Sequence, residues 1–230
     1  MSVSFAALDA VGLNLQAVFD LDALPAELAT RLRAQVDDGE GFHQLILIGH
    51  AGRKLWESVQ ATGLQTANPI DDFSIARVEE WFATQCAGRR LRVIYPGDRL
   101  VDLQRLGELA GWHHPSPFMV GIQAGWGSWF AYRVAMLADS ELPVTAPAVA
   151  PSPCNACTGR PCVAACPADA MASGRYSLER CIGYRRQPGS LCADTCLART
   201  NCPVGSEHRY CDAQIEYHYA LSRGAIERYL

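Results

Sequence analysis

Apolar positions along the chain change period several times, and each change marks an element. In PAELATRLRAQV (25–36) a proline stands where a first helical turn would begin. Leu28, Leu32 and Val36 then share one face, which predicts an amphipathic helix. QLILIG (44–49) is a short unbroken apolar run rich in β-formers and closed by glycine, which predicts a buried strand. HAGRKLWESVQATG (50–63) predicts a helix ending at Gly63. IDDFSIARVEEWFATQ (70–85) places acids in its first turn and apolar residues at Phe73, Ile75, Val78, Trp81 and Phe82, again a helix. LRVIYPGD (91–98) reads as a strand and turn, and LVDLQRLGELAG (100–111) as a helix ending at Gly111. FMVGIQ (118–123) and SWFAYRVAML (128–137) read as strands joined by the turn AGWG. These helices and strands do not alternate regularly enough for a doubly wound sheet. The fold class they predict is α+β with antiparallel pairing.

The pattern breaks at LPVTAPAVAPSPC (142–154), where Pro143, Pro147, Pro151 and Pro153 favour extended backbone and stop any helix. Two domains are predicted on either side: an α+β part over residues 1–145 and a cysteine-rich part over 151–230. With 230 residues, 49% of them hydrophobic, the chain is long enough to bury a core of moderate size. A net charge of −4 gives no basic surplus, so no nucleic-acid partner is expected. No apolar run approaches the length of a membrane span, and the opening MSVSFAALDAVGL lacks a charged leader region, so neither a membrane partner nor secretion is expected.

The chemistry is concentrated in the cysteines. Of ten, Cys86 alone precedes residue 154. Clustered thiols without a secretory leader point to metal ligation in the reducing cytoplasm and away from disulfides. The spacing Cys154-x2-Cys157-x4-Cys162-x3-Cys166-Pro167 sets four soft donors on one loop, close to the bacterial ferredoxin run, in which the fourth cysteine serves a second cluster. By that logic Cys154, Cys157 and Cys162 join distant Cys202 around one 4Fe–4S cluster, and Cys166 joins Cys181, Cys192 and Cys196 around another. The spacing Cys192-x3-Cys196-x5-Cys202 departs from ferredoxins, and Cys211 could replace any one ligand. Structural zinc prefers two short cysteine pairs well separated, which this run is not. Cys86 ends a predicted helix and reads as a small core residue. No GxSxG, phosphate loop or dinucleotide fingerprint is present.

GSWFAYRVAMLADSELPVTAP (127–147), CNACTGRPCVAACPADAM (154–171) and RYSLERCIGY (175–184) resemble the epoxyqueuosine reductase family in order and spacing. LILIGHAGRKLW (45–56), ANPIDDFS (67–74) and GWGSWFAYR (125–133) resemble cobalamin-processing proteins of the cblC type and reductive dehalogenases. The resemblance implies a nitroreductase-like domain followed by a small ferredoxin-like domain, with two 4Fe–4S clusters and cobalamin as cofactors. It implies an oxidoreductase that takes electrons from a low-potential donor such as a ferredoxin or flavodoxin and passes them singly to the cobalt of a corrinoid. Gly49, Gly52, Gly125, Gly127, Ser128 and Trp129 would line the corrin pocket, with Trp126 beside them, and Asp98, or Asp102 nearby, would be the catalytic acid. His50, His113 and His114 are further candidates for cobalt or for proton transfer. The long N-terminal portion and helical-repeat tail often seen in epoxyqueuosine reductases have no counterpart here, which argues against a transfer-RNA substrate. Two other readings compete: a ferredoxin-type carrier that feeds a partner enzyme, and a zinc-stabilised interaction protein.

Overall fold

The structure is a computed structural model describing residues 3–36 and 41–229. The chain forms two compact units: Met1–Ala110 with Phe130–Ala148, and Gly111–Trp129 with Val149–Leu230. The segment Gly111–Trp129, which includes the predicted strand over 118–123, thus groups with the cysteine-rich part.

The first unit contains α1 (Ala6–Ala10), β1 (Leu15–Asp20), α2 (Ala26–Arg33), β2 (Gln44–Ala51), α3 (Lys54–Thr62), α4 (Pro69–Gln85), β3 (Leu91–Tyr95), α5 (Leu103–Leu109) and β4 (Phe130–Ala138). The four strands make one sheet in the order β1-β2-β4-β3, antiparallel throughout. This is the mixed, antiparallel architecture that the sequence predicts. Every residue of β2 is buried, which explains why it reads as an unbroken apolar run: a central strand covered on both faces has no polar side. Helix α4 begins at Pro69 and buries Ile70, Ser74, Val78, Trp81 and Phe82, an i, i+4, i+8 stripe. Helix α3 ends at Gly63 in the left-handed conformation (φ 64°), as its sequence predicts. Its start differs, because His50 and Ala51 complete β2 and the helix begins at Lys54. A β-bulge between Ile48 and Gly49 leaves Arg133 of β4 without a facing partner, since Gly49 pairs Tyr132 and Ile48 pairs Val134. Arg133 is buried, approaches His50 Nε2 at 3.1 Å and lies 3.8 Å from the Asp71 carboxylate.

The second unit combines short pieces, α6 (Pro161–Ala164), α7 (Leu178–Arg185), α8 (Leu197–Thr200) and two single 3₁₀ turns, with one long helix, α9 (Asp212–Tyr229). The strand predicted over 118–123 does not form. Met119 turns back with φ 69°, and the segment contributes only isolated bridges, His114 with Ile122 and Gln123 with Gly127. Its apolar residues Phe118 and Ile122 are nonetheless buried, packed against Cys162, Met171, Ala198 and Cys202. Among the described residues, no helix is long and apolar enough to cross a membrane.

Candidate iron–sulfur site

All nine clustered cysteines lie in the second unit as free thiols. Cys154 and Cys157 are carried by a turn, Cys162 by α6, and Cys166 by the turn that follows it. Cys181 sits in α7, Cys192 in a loop, Cys196 at the N-terminal cap of α8, and Cys202 just after that helix.

Electrostatic coupling sorts the thiols. Cys154 feels chiefly Cys202 and Cys157, Cys162 feels Cys202, Cys154 and Cys157, and Cys202 feels Cys157. Cys192 feels Cys196, Cys166 and Cys181, and Cys196 feels Cys181. Within these leading interactions no thiol of one set acts on the other, and Cys211 enters neither. The two sets are Cys154, Cys157, Cys162, Cys202 and Cys166, Cys181, Cys192, Cys196. Burial is the main cause raising Cys154, Cys162, Cys192, Cys196 and Cys202 above the usual thiol range, with neighbouring thiols adding to it.

The second set lines a cavity of about 420 Å³, with Tyr176, Tyr219, Arg185 and Arg199 also on its wall. Among the described residues no group of three or more His, Cys, Asp or Glu side chains closes around a single metal ion. Four thiols lining one cavity are the donor set that a cluster of several iron and sulfur atoms takes. Apolar residues lie against both sets: Phe118, Ile122, Met171 and Ala198 pack with Cys162 and Cys202, and Cys154, Cys166 and Cys196 flank the same core.

Specific contacts hold this layer in place. Gly127 (φ 59°) crosses the backbone beyond Cys202 so closely that a Cβ there would stand 1.9 Å from the Val204 carbonyl oxygen, and one on Gly205 would stand 2.4 Å from Gly127 N. The Trp126 ring rests on His208 at 4.2 Å. Ser128 and Trp129 are fully buried, Ser128 accepting hydrogen bonds from Arg199 and Trp129 edge-on to Tyr210 at 5.3 Å. The GWGSW stretch therefore packs under the thiol layer, an arrangement its sequence alone does not reveal. Gly125 has open space where a side chain would stand. Gly49, at the β2 bulge, and Gly52 (φ 74°), just after β2, belong to the first unit. Asp98 is exposed in the loop between β3 and α5, whereas Asp102 caps α5 by accepting from Arg105 N at 3.0 Å. His50 is buried beside Arg133, His113 is buried in the second unit, and Cys86 is buried at the end of α4.

No protein-family model matches the chain, and no curated protein matches it. Among solved structures it is similar to epoxyqueuosine reductases. The enzyme from Streptococcus thermophilus aligns over 87% of this chain and 64% of its own at TM-score 0.55 and 14% identity. An epoxyqueuosine reductase solved with a tRNA-Tyr stem loop aligns over 92% of this chain and 67% of its own, also at 0.55 and 14%. The Bacillus subtilis enzyme aligns over 90% and 66% at 0.54. The chain thus shares their fold, spanning 64% of the length of the first of these relatives.

Proposed function

We propose that this chain is an iron–sulfur reductase. Cys154, Cys157, Cys162 and Cys202 hold one 4Fe–4S cluster, and Cys166, Cys181, Cys192 and Cys196 hold a second. The observation that carries this reading is the sorting of eight thiols into two sets of four, one of them around a cavity of about 420 Å³. The expected division into ferredoxin-like and nitroreductase-like parts belongs to the same reading.

A 4Fe–4S cluster supplies single-electron transfer at a potential set by charge, hydrogen bonding to sulfur and exposure to water. The chain's own residues provide the environment. Phe118, Ile122, Met171 and Ala198 exclude water next to thiols of both sets, which keeps the dielectric low. Tyr176 acts on Cys181, and Tyr219 on Cys196, where a hydroxyl can donate to ligand sulfur.

The finer reading gives the electrons to a corrinoid cobalt, with Gly49, Gly52 and Gly125 near the macrocycle and Asp98 as proton donor. It rests on the sequence resemblance alone. Ser128 and Trp129 fit it poorly, because both are sealed inside the second unit by Arg199 and Tyr210, so no step is derived through cobalt. The alternative of a bare electron carrier leaves the well-packed first unit without a task.

Anaerobic purification with iron and sulfide analysis tests the core claim: about eight irons per chain are expected from two clusters. A colourless protein binding zinc instead would defeat it. Titration of the iron-loaded protein with hydroxocobalamin, then with a tRNA stem loop, tests the acceptor. A corrin spectral shift supports cobalt, RNA binding alone moves the substrate to RNA, and neither leaves the carrier reading.

A further inference from the structure

Arg199 is 8% exposed, yet none of its described partners is a carboxylate. Its guanidinium lies 4.4 Å from the Trp129 ring centroid and 5.1 Å from that of Tyr210, and it donates to Ser128 O at 2.6 Å and to Ser128 Oγ at 3.4 Å. It also reaches the Tyr219 hydroxyl, which acts in turn on Cys196. Arg185 lies over the Tyr219 ring at 5.1 Å and donates to the carbonyls of Cys192 and Tyr219. Both arginines line the cavity of the second thiol set, and among the described residues of that wall there is no aspartate or glutamate. A buried cation without an anion is strongly unfavourable, and ring faces and a carbonyl offset only part of the cost. The missing negative charge is the one that four thiolates and their cluster would bring.

The first set is different. The leading cation on it is Arg160, acting on Cys154, and Arg160 is exposed, so water and salt screen it. Cys196 caps α8 without a close side-chain hydrogen bond, yet the N–H groups of Arg199 and Ala198 and the Tyr219 hydroxyl all favour its thiolate. The first set has such donors too, the N–H groups of Val163 at Cys162 and of Val204 at Cys202, so what sets the second apart is the buried guanidinium on its wall.

We propose that Arg199, seated on Trp129 and Tyr210, is the positioning residue that raises the reduction potential of the second cluster above that of the first. The inference rests on the two-cluster reading. When one electron arrives from a low-potential donor, the cluster and its thiolates gain one negative charge, no bond breaks, and the donor is oxidised by one electron. A fixed cation nearby in low dielectric favours that more negative state. Electrons entering the unit would then come to rest at Cys166, Cys181, Cys192 and Cys196.

The test is a potentiometric titration of the anaerobically reconstituted full chain with dithionite, followed by electron paramagnetic resonance, after iron and sulfide have been counted. Wild type should show two one-electron steps, and the higher one should disappear in Cys181→Ala. In Arg199→Gln that same step should shift to lower potential by about a tenfold change in its equilibrium, about 59 mV for one electron, while the other stays put. Arg199→Lys, which keeps the charge, should recover most of the shift. Tyr219→Phe breaks the link to Cys196 without removing a charge, and should lower the same step by less, even if Arg199→Gln does not fold. Unmoved steps, or equal movement of both, would overturn the inference while leaving the clusters in place. A wild-type chain without iron would overturn the two-cluster reading itself.

Discussion

The two units are held together in opposite ways. The first has a four-stranded sheet whose central strands are almost wholly buried and a 17-residue helix laid on an apolar stripe. The second has two helices of four residues each, α6 and α8, shorter than any helix that persists in water without help. Backbone strain follows the same division. Among the described residues, all three non-glycine residues with positive φ (Met119, Arg160 and Asp169) belong to the second unit. Arg160 and Asp169 flank the run from Cys162 to Cys166, and such conformations persist only where the surroundings enforce them. Hydrophobic burial carries the first unit, whereas in the second the buried apolar residues pack among the cysteines, so under the two-cluster proposal its stability would depend on what the thiols bind.

The largest effect should come from removing the iron. Chelation under reducing, acidic conditions should release protection across Val149–Leu230 and leave the sheet intact, because ligand binding there is folding free energy. Hydrogen exchange by mass spectrometry reads both units in one experiment; uniform loss across both would show that the sheet is no more independent than the thiol layer.

Two glycines sharpen the contrast. A Cβ on Gly12 (φ 87°) would stand 2.2 Å from Leu55 N in the first unit, as one on Gly127 would meet Val204 in the second. Either Gly→Ala change should cost roughly 2–4 kcal/mol from strain and overlap. In Gly12→Ala the loss should appear in thermal melts with iron content unchanged, whereas Gly127→Ala should lose iron in proportion. Leu47→Ala, at a fully buried site of β2, should cost about 2–5 kcal/mol with iron content again unchanged.

The smallest effect concerns pH. Burial raises the Asp71 carboxyl above its usual range, opposed by Arg133, in a side chain still 34% exposed. The folded state therefore holds this proton more tightly than the unfolded one. Its contribution is present below the unfolded value of 3.8 and is lost as pH rises through the folded pKa. Asp71→Asn should flatten that part of the stability–pH curve, measured by urea titration, and an unchanged slope would exclude Asp71 as its source.

Several elements were legible because local pattern and tertiary environment agree: the unbroken apolar run of β2, the stripe of α4 and the glycine stop of α3. Others were not. The run FMVGIQ has strand composition, but among the described residues it makes only isolated bridges, and its apolar side chains Phe118 and Ile122 pack among the cysteines instead. LQAVFD of β1 and the long α9 were missed, the first because a six-residue edge strand carries little periodicity, the second because its polar and apolar residues are spread around the helix.

The sequence by itself determined which residue types could do chemistry here, because thiolate chemistry and the Cys-Pro spacing are local properties of one loop. It also determined the class of fold, because burial on both faces of a strand and on one face of a helix leaves a periodic trace. Only the tertiary structure decided that GWGSW packs against the segment around Cys202 and that the buried Arg199 lines the cavity of the second thiol set. Those facts depend on contacts between segments some seventy residues apart, such as Arg199 with Ser128, and no local pattern records a contact of that span.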